Sequence, residues 1–103
     1  MNKVTKEMAE KFLGNVPPEN CFWLCDGQAL NNLNDLGKAL KGMKKDTFIY
    51  HANKDKNDFA NWIKDILTDE ELSKKVGAAK TKSAVEKAVK ARISELGKAA
   101  KKA

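Results

Sequence analysis

His51 is the only histidine in the 103-residue chain, and Asp58 follows it by seven positions. A carboxylate hydrogen-bonded to one imidazole nitrogen can hold the ring as a general base toward a substrate on the other. Asn53 and Asn57 lie between the two, and the Thr47 and Tyr50 hydroxyls lie close by in sequence. Neither hydroxyl carries the signature of an activated nucleophile. A lone histidine flanked by helix-capping residues reads first as a structural group packed between helices, so no catalytic role is assigned to it. Cys21 and Cys25 are the only thiols. Across an extended segment their Cα atoms would stand about 13 Å apart, beyond disulfide reach. A zinc site would need two more ligands and only one histidine exists, so no metal and no cofactor is expected, and both thiols are expected to be buried beside Phe22 and Trp23. Asp26, before Gly27, reads as a turn residue. No glycine loop of the phosphate-cradling kind is present.

The other chemistry available is ionic. Leu72 to Ala103 holds ten Lys or Arg against two Glu, a net +8, whereas Met1 to Glu71 holds ten Lys against twelve Asp or Glu, a net −2. The chain's +6 therefore belongs to one end. A basic arm on a near-neutral body suits a polyanion. Its candidate contacts are Lys80, Lys87, Lys90, Lys98, Lys101 and Lys102. Lysine meets phosphate as a flexible point charge, and with Arg92 the only arginine, base-specific readout is not expected. A solvated helix face is the plain alternative for such a charge run.

These groups need helices to position them. With 42% hydrophobic residues, few Gly or Pro and much Ala, Lys, Leu and Glu, the composition predicts one mainly α domain. Val4, Met8 and Phe12 mark a first helix that ends before Pro17-Pro18. Asp26-Gly27 between apolar stretches predicts a minimal hairpin with a type I′ turn. Asn31 or Asn32 caps a second helix bearing Leu33, Leu36, Leu40 and Met43, weakened by Gly37 and Gly42. Asp46 caps a third, and Asn57 or Asp58 caps a fourth bearing Phe59, Trp62, Ile63, Ile66 and Leu67. Thr68 to Glu71 and Ser83 to Glu86 read as capping boxes, with Thr68 and Ser83 as caps. The last helix turns Val85, Val89, Ile93 and Leu96 inward and Lys87, Lys90, Lys98 and Lys101 outward. The expectation is a compact domain of about five helices over 1–97 with a frayed basic tail over 98–103. Phe22, Trp23, Phe59 and Trp62 are assigned to its core.

One stretch also resembles a known family. Phe22-Trp23, Asp26-Gly27, Leu30, Asn32-Leu33, Leu36, Leu40, Phe48 and Tyr50-His51-Ala52-Asn53 recur in order. Asn57-Asp58-Phe59-Ala60-Asn61-Trp62-Ile63, then Asp65 and Asp69-Glu70-Glu71-Leu72, give the densest match. From about Pro18 to Leu72 the chain resembles a small prokaryotic helical domain family of unknown function. The resemblance implies a binding or adaptor module, supplies no catalytic residue, and points to His51, Asn53, Asn57 and Asp58 as the place for a shared site. It does not reach the basic arm.

The longest apolar run, Cys21 to Cys25, is far shorter than the ~20 residues of a membrane span. No secretory signal is visible after Met1, and a reducing cytoplasm is the expected compartment. The functional expectation is a non-enzymatic protein that binds DNA or RNA backbones without sequence preference through its basic final helix. The alternative is an adaptor for a protein partner, using an aromatic surface near Trp23, Trp62 and His51. A small hydrolase or transferase built on His51 and Asp58 ranks third.

Overall fold

Short polar side chains decide where the helices begin. In the computed structural model, which describes residues 4–101, Thr5 Oγ1 accepts the Met8 N–H at 3.1 Å and starts α1, Lys6–Leu13. Pro17 and Pro18 prevent its continuation, and a single 3-10 turn over Pro18–Asn20 delivers the chain to the hairpin. There β1, Phe22–Trp23, pairs antiparallel with β2, Ala29–Leu30, Phe22 facing Leu30 and Trp23 facing Ala29.

The hairpin turn differs from expectation. Leu24 and Gln28 close a three-residue loop, with Leu24 N–H on Gln28 O at 2.8 Å and Gly27 N–H on Leu24 O at 2.9 Å. Gly27 has φ 98° while Asp26 has no positive φ, so the loop is a three-residue turn ended by a left-handed glycine, not type I′. Asp26 serves the turn as expected, its carboxylate accepting the Gln28 backbone and side-chain N–H groups at 3.1 and 3.0 Å.

Asn32 caps α2, Leu33–Gly42, accepting the Asp35 N–H at 2.7 Å, and Asp35 reaches back to the Asn31 N–H at 3.0 Å. α3, Lys45–His51, starts at Lys44 without any side-chain cap; Asp46 lies inside its first turn, so the expected cap there is not made. Asn57 caps α4, Asp58–Trp62, through Ala60 N–H at 3.0 Å. A π-helical turn over Ile63–Leu67 widens the end of this helix and stops at Thr68, which is left-handed at φ 64°. The next cap is therefore Asp69, not Thr68: its carboxylate accepts the Leu72 N–H at 3.2 Å and opens α5, Glu70–Ala78. Likewise Thr81, not Ser83, caps α6, Lys82–Ala100, accepting the Ala84 N–H at 3.1 Å. Residues 98–100, expected to begin a frayed tail, continue α6, and Ala99 is buried. Among the described residues the architecture is mainly α, six α-helices with one two-stranded sheet.

α6 is the axis of the core. Val85, Val89 and Leu96 are fully buried, and α1, α2 and α5 all lie along it. Gly37 has a packing reason: a Cβ there would stand 3.1 Å from Ile93 Cδ1 and 3.6 Å from Val89 Cγ1, so its bareness lets α2 close on α6. Phe22, Phe48, Phe59 and Trp62 form an aromatic cluster between the hairpin, α3 and α4, with Phe22 stacked on Phe59 at 5.3 Å and edge-on to Trp62 at 5.8 Å. Trp23, expected in that core, points outward because adjacent strand residues face opposite sides.

One charged group sits in the apolar seam. The Arg92 side chain, 4% exposed, grips Asp69 with both fork nitrogens, Nε at 2.8 Å and Nη2 at 2.9 Å, while Nη1 reaches Glu95 at 2.7 Å and Glu71 at 3.3 Å. Burial alone would favour its neutral form; the bonds to Asp69 and Glu95, with the charges of Asp69 and Glu71, override this and hold it protonated far above the ordinary range. Asp69 is 1% exposed. Breaking one side of such a pair strands the other charge in the interior. Arg92→Met is expected to lower unfolding free energy by about 3–5 kcal/mol in chemical denaturation, whereas a loss below about 1 kcal/mol would show the pair to be dispensable.

Candidate functional site

His51 ends α3 and faces the hairpin. Its Nε2 accepts the backbone N–H of Cys25 at 3.0 Å, and its Nδ1 lies 3.0 Å from Asp58 Oδ2. A backbone N–H can only donate, so Nε2 carries the lone pair and the ring proton sits on Nδ1, donated to Asp58. The ring is buried, 5.1 Å from Phe22 and 5.5 Å from Phe59 between centroids. The base–orienter pair read from sequence is thus formed, but both nitrogens are engaged. The nitrogen that would meet a substrate holds a turn amide instead. His51 bridges α3 and α4 through Asp58, as expected, and also ties both to the hairpin through the Cys25 amide.

The other members of the quartet are engaged in the same way. Asn57 caps α4 with Oδ1 and donates Nδ2 to Val76 O at 3.2 Å, closing the C-terminal end of α5. Asn53 donates to Ile49 O at 2.9 Å and accepts the Asp55 N–H at 2.9 Å. The Ala52–Asn57 bridge closes the loop between α3 and α4 that carries them. Asp58 also accepts from Lys56 Nζ at 3.0 Å. Burial pushes the Asp58 carboxyl up, yet the bonds from His51 and Lys56 outweigh it and hold the group below the usual carboxylate range. Cys21 is half-buried and Cys25 is exposed, against the expectation of two buried thiols. No group of three or more His, Cys, Asp or Glu side chains among the described residues is placed to hold a metal ion.

The lysines take three different positions. Lys87, Lys98 and Lys101 stand exposed on the face of α6 opposite its packed side, and none has a carboxylate within ion-pair distance among the described residues. Lys90 stands on the same face but is bonded to Glu86 at 2.8 Å. Lys80 is apart from this row, in the connection before α6, where it lines an open cleft of about 400 Å³ together with Asn53, Lys54 and Asn57. Lys102 lies outside the described residues. The structure thus brings Lys80 to the Asn53–Asn57 loop and leaves the α6 row separate from it.

The aromatic surface expected near Trp23, Trp62 and His51 has a different membership, since Trp62 and His51 are buried. Trp23 is 64% exposed, Tyr50 58% and Ile49 46%. They stand on β1 and α3, and the His51–Cys25 hydrogen bond ties α3 to the loop that follows β1. Lys56 Nζ lies 4.8 Å above the Tyr50 ring. The strand alternation that turns Phe22 inward is the signal that could have placed Trp23 outside. Trp62, by contrast, is buried and donates its indole N–H to Asn20 O at 2.8 Å.

No known family model, curated protein or solved structure matches the chain.

The depressed Asp58 carboxyl sets an acid limit. A group whose folded pKa lies below its unfolded value contributes stability above the unfolded value, about 3.9 for Asp, and loses it as pH falls through the folded one. Asp58→Asn is expected to be the less stable protein at pH 7, and its deficit should shrink as both proteins are unfolded by urea at successively lower pH. A deficit constant from pH 7 to pH 2 would count against this linkage.

Proposed function

We propose that this protein binds nucleic-acid phosphates, without reading sequence, through the outer face of α6. The observation that carries the reading is the row formed by Lys87, Lys98 and Lys101, exposed on a helix whose opposite side is buried in the core. At 1.5 Å per residue the row extends about 21 Å, enough to span several phosphates of one strand. Lys90 belongs to the row once Glu86 releases it. Binding of this kind releases counterions and weakens steeply with salt. Lysine ammonium groups touch phosphate oxygens and leave base edges unread. The His51 region does not compete as a catalytic centre, because the ring nitrogens of His51 are engaged with Cys25 and Asp58.

Titration of mixed-sequence duplex DNA and RNA over a salt series tests this reading. Affinity should fall as salt rises, and the Lys87→Ala/Lys98→Ala/Lys101→Ala protein should show a log–log salt slope smaller by about 2 to 3. Absence of binding at low salt, or binding indifferent to salt, would refute it.

A second reading has its own observation. Exposed Trp23, Ile49 and Tyr50 on adjoining elements suit a protein partner, since tryptophan and tyrosine are enriched among the residues that dominate interface binding energy. In a nuclease-treated extract, a partner held by the wild type should be lost with Trp23→Ala/Tyr50→Ala. Equal retention by both proteins rules this surface out.

A further inference from the structure

The basic surface is wider than α6. Lys82 Nζ donates to Leu40 O at 3.0 Å, pinning the start of α6 to the end of α2. Lys41 is the next residue of α2 and is exposed. On the α6 side of this seam stands Glu86, bonded to Lys90 at 2.8 Å with its side chain only 19% exposed. The hydrogen bond from Lys90, with the positive charges of Lys90, Lys82 and Lys41, keeps the Glu86 carboxyl below the usual range. Lys87 and Ser83 line the same shallow depression. The opposite flank of α6 is different. There Glu95 and Glu71 surround Arg92, so an approaching polyanion meets carboxylates on that side.

We propose that Glu86 restrains the polyanion-binding surface and that Lys41 of α2 belongs to that surface. The inference rests on the phosphate-binding reading above. A phosphate that engages Lys90 must displace the Glu86 carboxylate, and that exchange forfeits part of the attraction gained. The backbone of the ligand therefore crosses the α2–α6 seam at Lys41 and Lys90 and avoids the Glu95 flank. Neither residue of the pair Lys41 and Glu86 stands out in the sequence, because they lie 45 positions apart.

The test compares wild type, Glu86→Gln and Glu86→Gln/Lys41→Ala in titrations of a mixed-sequence DNA duplex over a salt series. Glu19→Gln, which removes the same charge from the exposed 3-10 turn, controls for net charge alone. Circular dichroism melts confirm that α6 stays folded. Glu86→Gln should bind roughly threefold tighter at low salt, the effect of one unit charge about 7 Å away in water. Its log–log salt slope should steepen by about 0.9, one further phosphate contact. Adding Lys41→Ala should reverse the gain. A wild type too weak to detect beside a Glu86→Gln protein that binds also supports the restraint. If wild type binds and Glu86→Gln binds no better, or if Glu19→Gln gains as much, the restraint is overturned while the phosphate reading stands. If no variant binds, both fall.

Discussion

The buried pair between Arg92 and Asp69 holds the start of α5 against the middle of α6. Asp69 does two things at once. One oxygen caps α5 through the Leu72 N–H, and both oxygens receive the Arg92 fork from the middle of α6. For this the backbone must turn sharply just before it, and Thr68 adopts a left-handed conformation that a β-branched residue rarely takes. The π-helical turn ahead of Thr68 belongs to the same adjustment, since it shifts the register at which α4 ends. A strained turn persists when its surroundings over-determine it, and here a bidentate ion pair does so.

That arrangement also sorts the charge. Arg92 is one of the ten basic residues of the C-terminal arm, yet its charge is spent inside, on Asp69, Glu71 and Glu95. Lys75 pairs with Glu71 and Lys90 with Glu86, while Lys82 serves a backbone carbonyl. Asp69 and Glu71, which lie outside the arm, therefore offset two of its +8 charges, while Lys82 keeps its own. Lys74 and Lys80 stand elsewhere, while Lys87, Lys98 and Lys101 gather charge unpaired among the described residues on one face, with Lys41 exposed on another helix. A local row of like charge attracts a polyanion more than the same charge spread over a surface.

The His51 region shows how identical residues acquire a structural or a chemical role. A histidine with a carboxylate on one nitrogen needs an open, solvent-facing second nitrogen to move protons for a substrate. In this fold the second nitrogen is closed by the Cys25 amide, and Phe22 and Phe59 pack on the ring. A very short hairpin has little stability of its own, so an anchor from α3 is what it requires. The anchor leaves Trp23 and Tyr50 outside.

Much of the helical layout is legible in the residues themselves. Leu33, Leu36 and Leu40, or Phe59, Trp62 and Ile63, recur at the helical period, and that period states which face is buried whatever it packs against. Asn32 and Asn57 as caps are equally local, because a side-chain oxygen two or three residues from a free N–H needs no tertiary partner. The outward row on α6 follows from the same arithmetic. Arg92 also left a trace, as the one cation inside the apolar arc of α6, which demands a buried carboxylate somewhere. Which carboxylate could not be read, since Asp69 lies 23 residues away and approaches only when α5 folds against α6. The shift of caps from Thr68 to Asp69 and from Ser83 to Thr81 has the same origin: several residues could cap, and packing chose among them. So too with His51, whose neighbours in sequence suggested a base but whose decisive contact, Cys25, comes from a distant turn. Local hydrogen bonds and periodicity are properties of a few consecutive residues. Burial, pairing of charges and closure of a ring nitrogen depend on which segments meet, and only the folded chain settles that.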